Sequence, residues 1–178
     1  YFIESGWVKV RRHSDDGFVT LAVLGRGDFF GEMAILDESP RSTDVVAMTP
    51  VRLLSVSAQR FIQTLFKDPQ LHHRLLQLMV QRLRKSNSRF QQRYHPPAVK
   101  LATTLVGLQN AYGQPTETGI NILYIPPNDL ADLSDISVEE TQKIMNKLDE
   151  KGWISIDNTH SVMSIKQPKQ MAHLAEKS

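Results

Sequence analysis

The sequence predicts an α+β chain with strands gathered at the front, one long helix in the middle and a mixed segment of helices and a hairpin behind. Three observations carry this. Turn residues recur at strand-like spacing through the first 56 positions. The apolar period then changes to that of a helix and holds for about 25 residues. Beyond a proline pair, helix caps alternate with short β-branched runs.

From Tyr1 to about Val56, runs of Val, Ile, Phe and Leu are cut by Gly6, Asp15-Asp16-Gly17, Gly25-Arg26-Gly27-Asp28, Ser39-Pro40 and Thr49-Pro50, the pattern of a β-barrel or sandwich. Trp7-Val8-Lys9-Val10-Arg11 and Phe18 to Val23 alternate, so each strand has one face to bury and one to solvate. Arg26-Gly27-Asp28 is expected to be a strand connection. After Val56 a short helical pattern covers Phe61, Ile62, Leu65 and Phe66, and a long one runs from Pro69 to about Tyr94. Within it Leu76, Met79, Leu83, Ser86 and Phe90 step by 3, 4, 3, 4, a seam that can pair with its own copy or cover the parent β-domain. A helix of that length spans nearly 40 Å at about 1.5 Å per residue, more than a small barrel needs. His95-Pro96-Pro97 ends it, because proline removes a donor and restrains the residue before it.

The remaining segment is expected to form a helix from about Ala98 to Tyr112, a polar turn over Gly113 to Gly119, and a strand over Asn121 to Ile125. Two helices follow, one near Asn128 to Leu133 with Asn128 as its cap, the other opened by Ser137 with Glu140 three residues on, a capping box. Ser134-Asp135-Ile136 connects them. The second helix turns Ile144, Met145 and Leu148 inward and stops near Lys151-Gly152, before a hairpin of Trp153 to Ile156 and Val162 to Ile165. Helix, short turn, helix and hairpin make a winged helix-turn-helix.

Composition narrows the function. Without cysteine there is no disulfide frame and no thiolate metal site, which is compatible with a reducing, cytoplasmic setting. No apolar run reaches the roughly 18 residues of a membrane span, so no membrane is expected as partner. The opening Tyr1-Phe2-Ile3 has the character of mid-strand, and the chain is expected to begin inside a longer gene product. Net charge is +2, but residues 1–100 hold 15 Lys and Arg against 9 Asp and Glu, whereas residues 101–178 hold 6 against 10, with no arginine. No phosphate-loop glycine motif, His-Glu-x-x-His or nucleophile-elbow serine is present, so an enzyme is not expected.

The most informative stretch is Phe30-Gly31-Glu32-Met33-Ala34-Ile35-Leu36-Asp37-Glu38-Ser39-Pro40-Arg41-Ser42-Thr43. Glycine lets backbone approach an anion, a guanidinium gives paired donors to a phosphate, and a carboxylate accepts from a sugar hydroxyl. By residue type alone, a surface turn holding a Glu32–Arg41 ion pair is the favoured reading of the same stretch. It resembles the phosphate-binding cassette of cyclic-nucleotide-binding domains, with Phe-Gly-Glu, an apolar run and Pro-Arg-Ser, and the chain is similar throughout, in order and spacing, to the cAMP receptor protein/Fnr family of transcription regulators, with that family's first strands missing.

The resemblance implies a β jelly-roll ligand domain over residues 1–68, a dimerisation helix over 69–95 and a winged helix-turn-helix over 96–178. It implies that Gly31, Met33 and neighbouring backbone hold the ligand, that Glu32 accepts from a ribose hydroxyl, and that Arg41 with Ser42 holds the phosphate. Ser86 and Asn87 match the helix positions that meet the purine, with Ser-Asn where the family has Thr-Ser. Beside them Arg82, Arg84, Lys85 and Arg89 form a basic face, either solvated or available to the extra phosphate of a cyclic dinucleotide such as c-di-GMP. Iron–sulfur and haem sensing lack their cysteines, while His13, His72, His73 and His95 stay open as ligands. Ser137, Glu139, Gln142 and Lys143 are the implied DNA-reading residues, since Glu accepts from cytosine, Gln pairs adenine and Lys reaches guanine. The expectation is a homodimer that takes a cyclic nucleotide, cAMP or c-di-GMP, as allosteric ligand, with no cofactor and no metal. Its acidic C-terminal segment either weakens DNA binding or, in an adaptor, docks a protein partner.

Overall fold

The computed structural model describes residues 1–15 and 17–177, with backbone alone for residues 85 and 88–92. The chain divides into two compact units, Tyr1–Arg93 and Tyr94–Ser178.

In the first unit, β1 (Phe2–Ser5), β2 (Val8–Ser14) and β3 (Gly17–Leu24) precede a one-turn helix, α1 (Met33–Leu36), then β4 (Asp44–Ala47) and β5 (Arg52–Leu54). All pairings are antiparallel, in two sheets ordered β1-β5 and β3-β2-β4. Ile3, Val8, Thr20 and Val23 are buried, but the clean alternation expected of β2 and β3 does not appear in their burial. A register shift at Val10/Arg11 carries β2 past one residue of β3.

α2 (Ala58–Lys67) opens on Ser57, whose hydroxyl accepts from the Arg60 amide at 3.3 Å. It stops at Asp68 because that carboxylate caps the next helix, accepting from the Gln70 and Leu71 amides at 2.9 and 3.0 Å, with Pro69 at the first helical position. This next helix, α3 (Pro69–Gln91), is the long one and continues into a 3-10 turn at Gln92–Tyr94. It is docked on the first unit through the cluster of Phe29, Leu65 and Leu75, against which Phe61 and Met79 pack.

The second unit holds α4 (Pro97–Tyr112), β6 (Gln114–Thr116), β7 (Gly119–Leu123), α5 (Pro127–Ser134), α6 (Val138–Glu150), β8 (Ile154–Asp157), β9 (Val162–Ile165) and α7 (Pro168–Ala175). Its sheet is antiparallel in the order β6-β7-β9-β8. Leu101, Leu105, Ile125, Leu130, Ile154, Met163, Ile165 and Met171 are almost fully buried and form the core.

Helix, turn, helix and wing follow as expected, with three corrections. The polar turn after Tyr112 contains a strand, β6, paired to β7, because Gln114, Pro115 and Thr116 can run along an exposed edge where Pro115 needs no ladder donor. Asn128 does not cap α5: Pro126 stands at the cap and Pro127 at the first helical position, leaving Asn128 in the first turn. A further helix, α7, lies beyond the expected elements and packs on α4 through the buried Met171.

Candidate functional site

The cassette begins where the chain leaves the Phe2–Phe29 bridge. Gly31 takes φ +87°, open to glycine and strained for any other residue, and a β-carbon there would stand 2.6 Å from the Arg41 guanidinium. The arginine that closes the motif is therefore folded back over the glycine that opens it. Glu32 follows at the cap of α1, its carbonyl accepting from the Ile35 and Leu36 amides at 3.0 and 2.9 Å. The first amides of such a turn have no partner within the helix. Met33 is 64 % exposed, and Arg41 and Ser42 are exposed too. The strand-to-strand return passes through Glu38 at φ 53°, where Ser39 donates its hydroxyl to Asp37 at 2.6 Å.

Glu32 is only 4 % exposed, and its charge is answered by Arg82 of α3, which donates from Nη1 to Oε1. The second guanidinium nitrogen donates to the Phe29 carbonyl at 2.7 Å, and the group lies 4.7 Å from the Phe29 ring centre. Arg82 is thus neither a solvated member of a basic face nor free for a second phosphate. The only hint in the sequence is that it lies one turn beyond Met79 and one turn before Ser86, about 4.5 Å and about 6 Å along the helix by the usual rise. Ser86 and Asn87 are exposed on the next turn of α3. Gly31, Glu32 and Arg41 come together, and the helix that carries Ser86 and Asn87 is tied to them by Arg82.

Exposure divides the proposed seam. Leu76, Val80 and Leu83 are 54, 48 and 61 % exposed, whereas Met79 packs on the Phe29–Leu65–Leu75 cluster. The unpartnered row is therefore Leu76, Val80, Leu83 and Asn87, stepping 4, 3, 4, with Ser86 at its flank. Met79 is partly buried against a cluster on its own domain. The side chain of Phe90 lies outside the described residues.

In the second unit, Ser137 and Glu140 form the capping box. The Ser137 hydroxyl accepts from the Glu140 amide at 3.1 Å, and the Glu140 carboxylate accepts from the Ser137 amide at 3.2 Å. Glu139, Gln142 and Lys143 are exposed on α6 with Asn146, which the sequence reading did not single out. Lys143 donates to Glu139 at 2.8 Å, so the one cation among the residues expected to read DNA is already paired. Asp135 adopts the left-handed conformation that its turn requires, φ 52° and ψ 53°. Among the described residues no cluster of His, Asp or Glu could hold a metal ion, and no helix is long and apolar enough to cross a membrane.

A strand domain with its cassette, a long helix tied to it and a winged helix-turn-helix make up the fold. Residues 1–68 match the cyclic nucleotide-binding domain family. The chain is 26 % identical over 167 residues to the CRP-like cAMP-activated global transcriptional regulator of Mycobacterium tuberculosis, covering 92 % of this chain and 75 % of the relative. It is 29 % identical over 159 residues to the cyclic AMP receptor protein of Thermus thermophilus, covering 88 % and 70 %. In fold it is similar to a solved transcriptional regulator of the CRP/FNR family, also from Thermus thermophilus, with a TM-score of 0.74 at 22 % identity over 99 % of this chain and 87 % of that one. Residues 1–68 thus carry a cyclic nucleotide-binding domain, and over most of its length the chain is similar to transcription regulators that respond to cAMP.

Proposed function

We propose that the chain acts as a homodimeric transcription regulator in which a cyclic nucleotide bound at the cassette alters the pairing of α3 and so the presentation of α6 to DNA. Gly31, Glu32, Met33, Arg41 and Ser42 hold the ribose and cyclic phosphate, and Ser86 and Asn87 meet the base. The observation that carries this reading is the contact of Arg82 with Glu32: cassette and long helix meet at one pair of side chains. A ribose hydroxyl that takes up Glu32 competes with Arg82, and the outcome reaches the exposed Leu76–Val80–Leu83 row through the same helix. Ligand binding can shift that equilibrium only by binding one arrangement more tightly than the other.

Relatives activated by cAMP support cAMP as the ligand. The loss of Arg82 to an internal pair weakens the case for a cyclic dinucleotide. The acid excess of residues 101–178 and the Glu139–Lys143 pair support a DNA affinity that leans on base contacts more than on phosphate neutralisation.

Calorimetric titration with cAMP, cGMP and c-di-GMP, each against Arg41→Ala, tests the ligand half. Saturable binding lost in the variant is expected, and binding that survives it overturns the cassette assignment. A salt titration of duplex binding tests the other half. Affinity should fall as salt rises, and an insensitive interaction would mark α6 as a protein-docking surface.

A further inference from the structure

The connector between α5 and α6 is only Asp135, Ile136 and the capping Ser137, so the direction of α6 follows from the geometry of the turn from Ser134 to Ser137. Backbone bonds account for part of that geometry: the Asp135 amide donates to the Asp132 carbonyl at 3.4 Å and the Ile136 amide to the Ala131 carbonyl at 3.2 Å, the pattern of a Schellman close. They leave the Asp135 carbonyl, on a residue held in a conformation that side chains disfavour.

The rest of the hold comes from α4. Lys100 is 8 % exposed, and Val99, Leu101 and Ala102 beside it in α4 are buried too, so this turn of the helix is covered on nearly every side. Its ammonium donates to the Asp135 carbonyl at 3.0 Å and stands 3.4 Å from the Asp135 carboxylate. One turn along α4, Thr104 accepts from the Ser134 hydroxyl at 2.9 Å and itself donates to the Lys100 carbonyl at 3.1 Å. A lysine so far out of water persists only where its charge is answered, and here both partners belong to one residue of the turn. The site also suits a cation, because carbonyls at a helix C-terminus carry partial negative charge.

We propose that Lys100 is a positioning residue that holds the turn of the helix-turn-helix and thereby sets the direction of α6. The consequence for DNA sequence discrimination rests on the DNA-binding function proposed above. Being buried, Lys100 acts on specificity through the turn and not by touching phosphate.

The test compares Lys100→Met and Lys100→Arg with the wild-type chain by amide hydrogen exchange and by binding to duplexes selected from a random pool. In Lys100→Met the Asp135 and Ile136 amides should exchange about tenfold faster while α4 amides stay protected. Affinity for the selected duplex should fall about tenfold with affinity for unselected duplex and its salt slope unchanged, and Lys100→Arg should restore both. Unchanged exchange and unchanged discrimination overturn the proposal, as does an equal loss on both duplexes with a shallower salt slope, the mark of a phosphate contact. Should Lys100→Met not fold, Asp135→Asn keeps the main-chain acceptor, removes the charge partner and carries the same readouts, with a loss of about threefold expected and none overturning the proposal. A wild-type chain that selects no duplex overturns the DNA reading, and the exchange rates then decide the role of Lys100 by themselves.

Discussion

Arg82 on the long helix and Glu32 in the cassette, 50 positions apart, form a half-buried ion pair whose acid is almost wholly shielded from water. The Phe29 carbonyl and ring complete the guanidinium's surroundings. Breaking a fully buried pair costs about 3–5 kcal/mol because a charge is left uncompensated, and the partial exposure of Arg82 brings the expectation for Arg82→Met to about 2 kcal/mol. Urea unfolding of Arg82→Met, Glu32→Gln and the double variant checks it. The double variant should lose less than the two single losses added together, and additive losses would show that the pair is not coupled.

Gly31 is expected to be intolerant of any side chain. Gly31→Ala places a methyl against the Arg41 guanidinium and strains a backbone at φ +87°, so it should lower cyclic nucleotide affinity while circular dichroism keeps its native shape. Affinity within about twofold of wild type would show that Arg41 can move aside without loss, since twofold is under half a kcal/mol.

The seam prediction separates two faces of one helix. Leu83→Glu and Val80→Glu should halve the sedimentation mass while leaving the β-domain's melting temperature in place. Met79→Glu should do the reverse, destabilising the Phe29–Leu65–Leu75 cluster by about 2 kcal/mol or more through a charge set against apolar packing. A dimer that survives glutamate at both 80 and 83 would refute the seam.

In the wing, the Asp157 carboxylate is held below the ordinary 3.8, first by the His160 side chain at 2.7 Å and then by the His160 and Thr159 amides at 3.2 and 2.9 Å. A depressed carboxylate stabilises the folded state fully above its unfolded pKa and loses that contribution as pH falls through the lower, folded value. The wing turn should therefore loosen only below about pH 4, the ordinary carboxylate range. His160→Ala, which removes the largest cause, should return the Asp157 titration followed by NMR toward its ordinary position. A titration that does not move would assign the depression to the backbone amides.

How far the sequence reaches differs between the halves of the site. The capping box at Ser137 and Glu140 was legible because a cap is settled within three or four residues. The convergence of Gly31 and Arg41 was legible only through the cassette resemblance, since their types alone favour a surface turn. The partner of Glu32 was not legible at all: Arg41 and Arg82 are the same residue type, and only the docking of α3 decides which one reaches it. Lys100 escaped for a similar reason. In sequence it is one lysine in the first turn of a helical run, and its burial depends on α5 and its turn packing over α4.

By itself the sequence determined the order of strands and helices apart from β6 and α7, the place where the long helix starts and stops, and the capped start of α6, because local period, proline and capping chemistry act over a few residues. The tertiary structure alone decided which face of α3 lies on its own domain, which cation answers Glu32, and what holds the turn ahead of α6. A step of three and a step of four along a helix are both compatible with burial, and a charge finds its partner only once distant elements have packed.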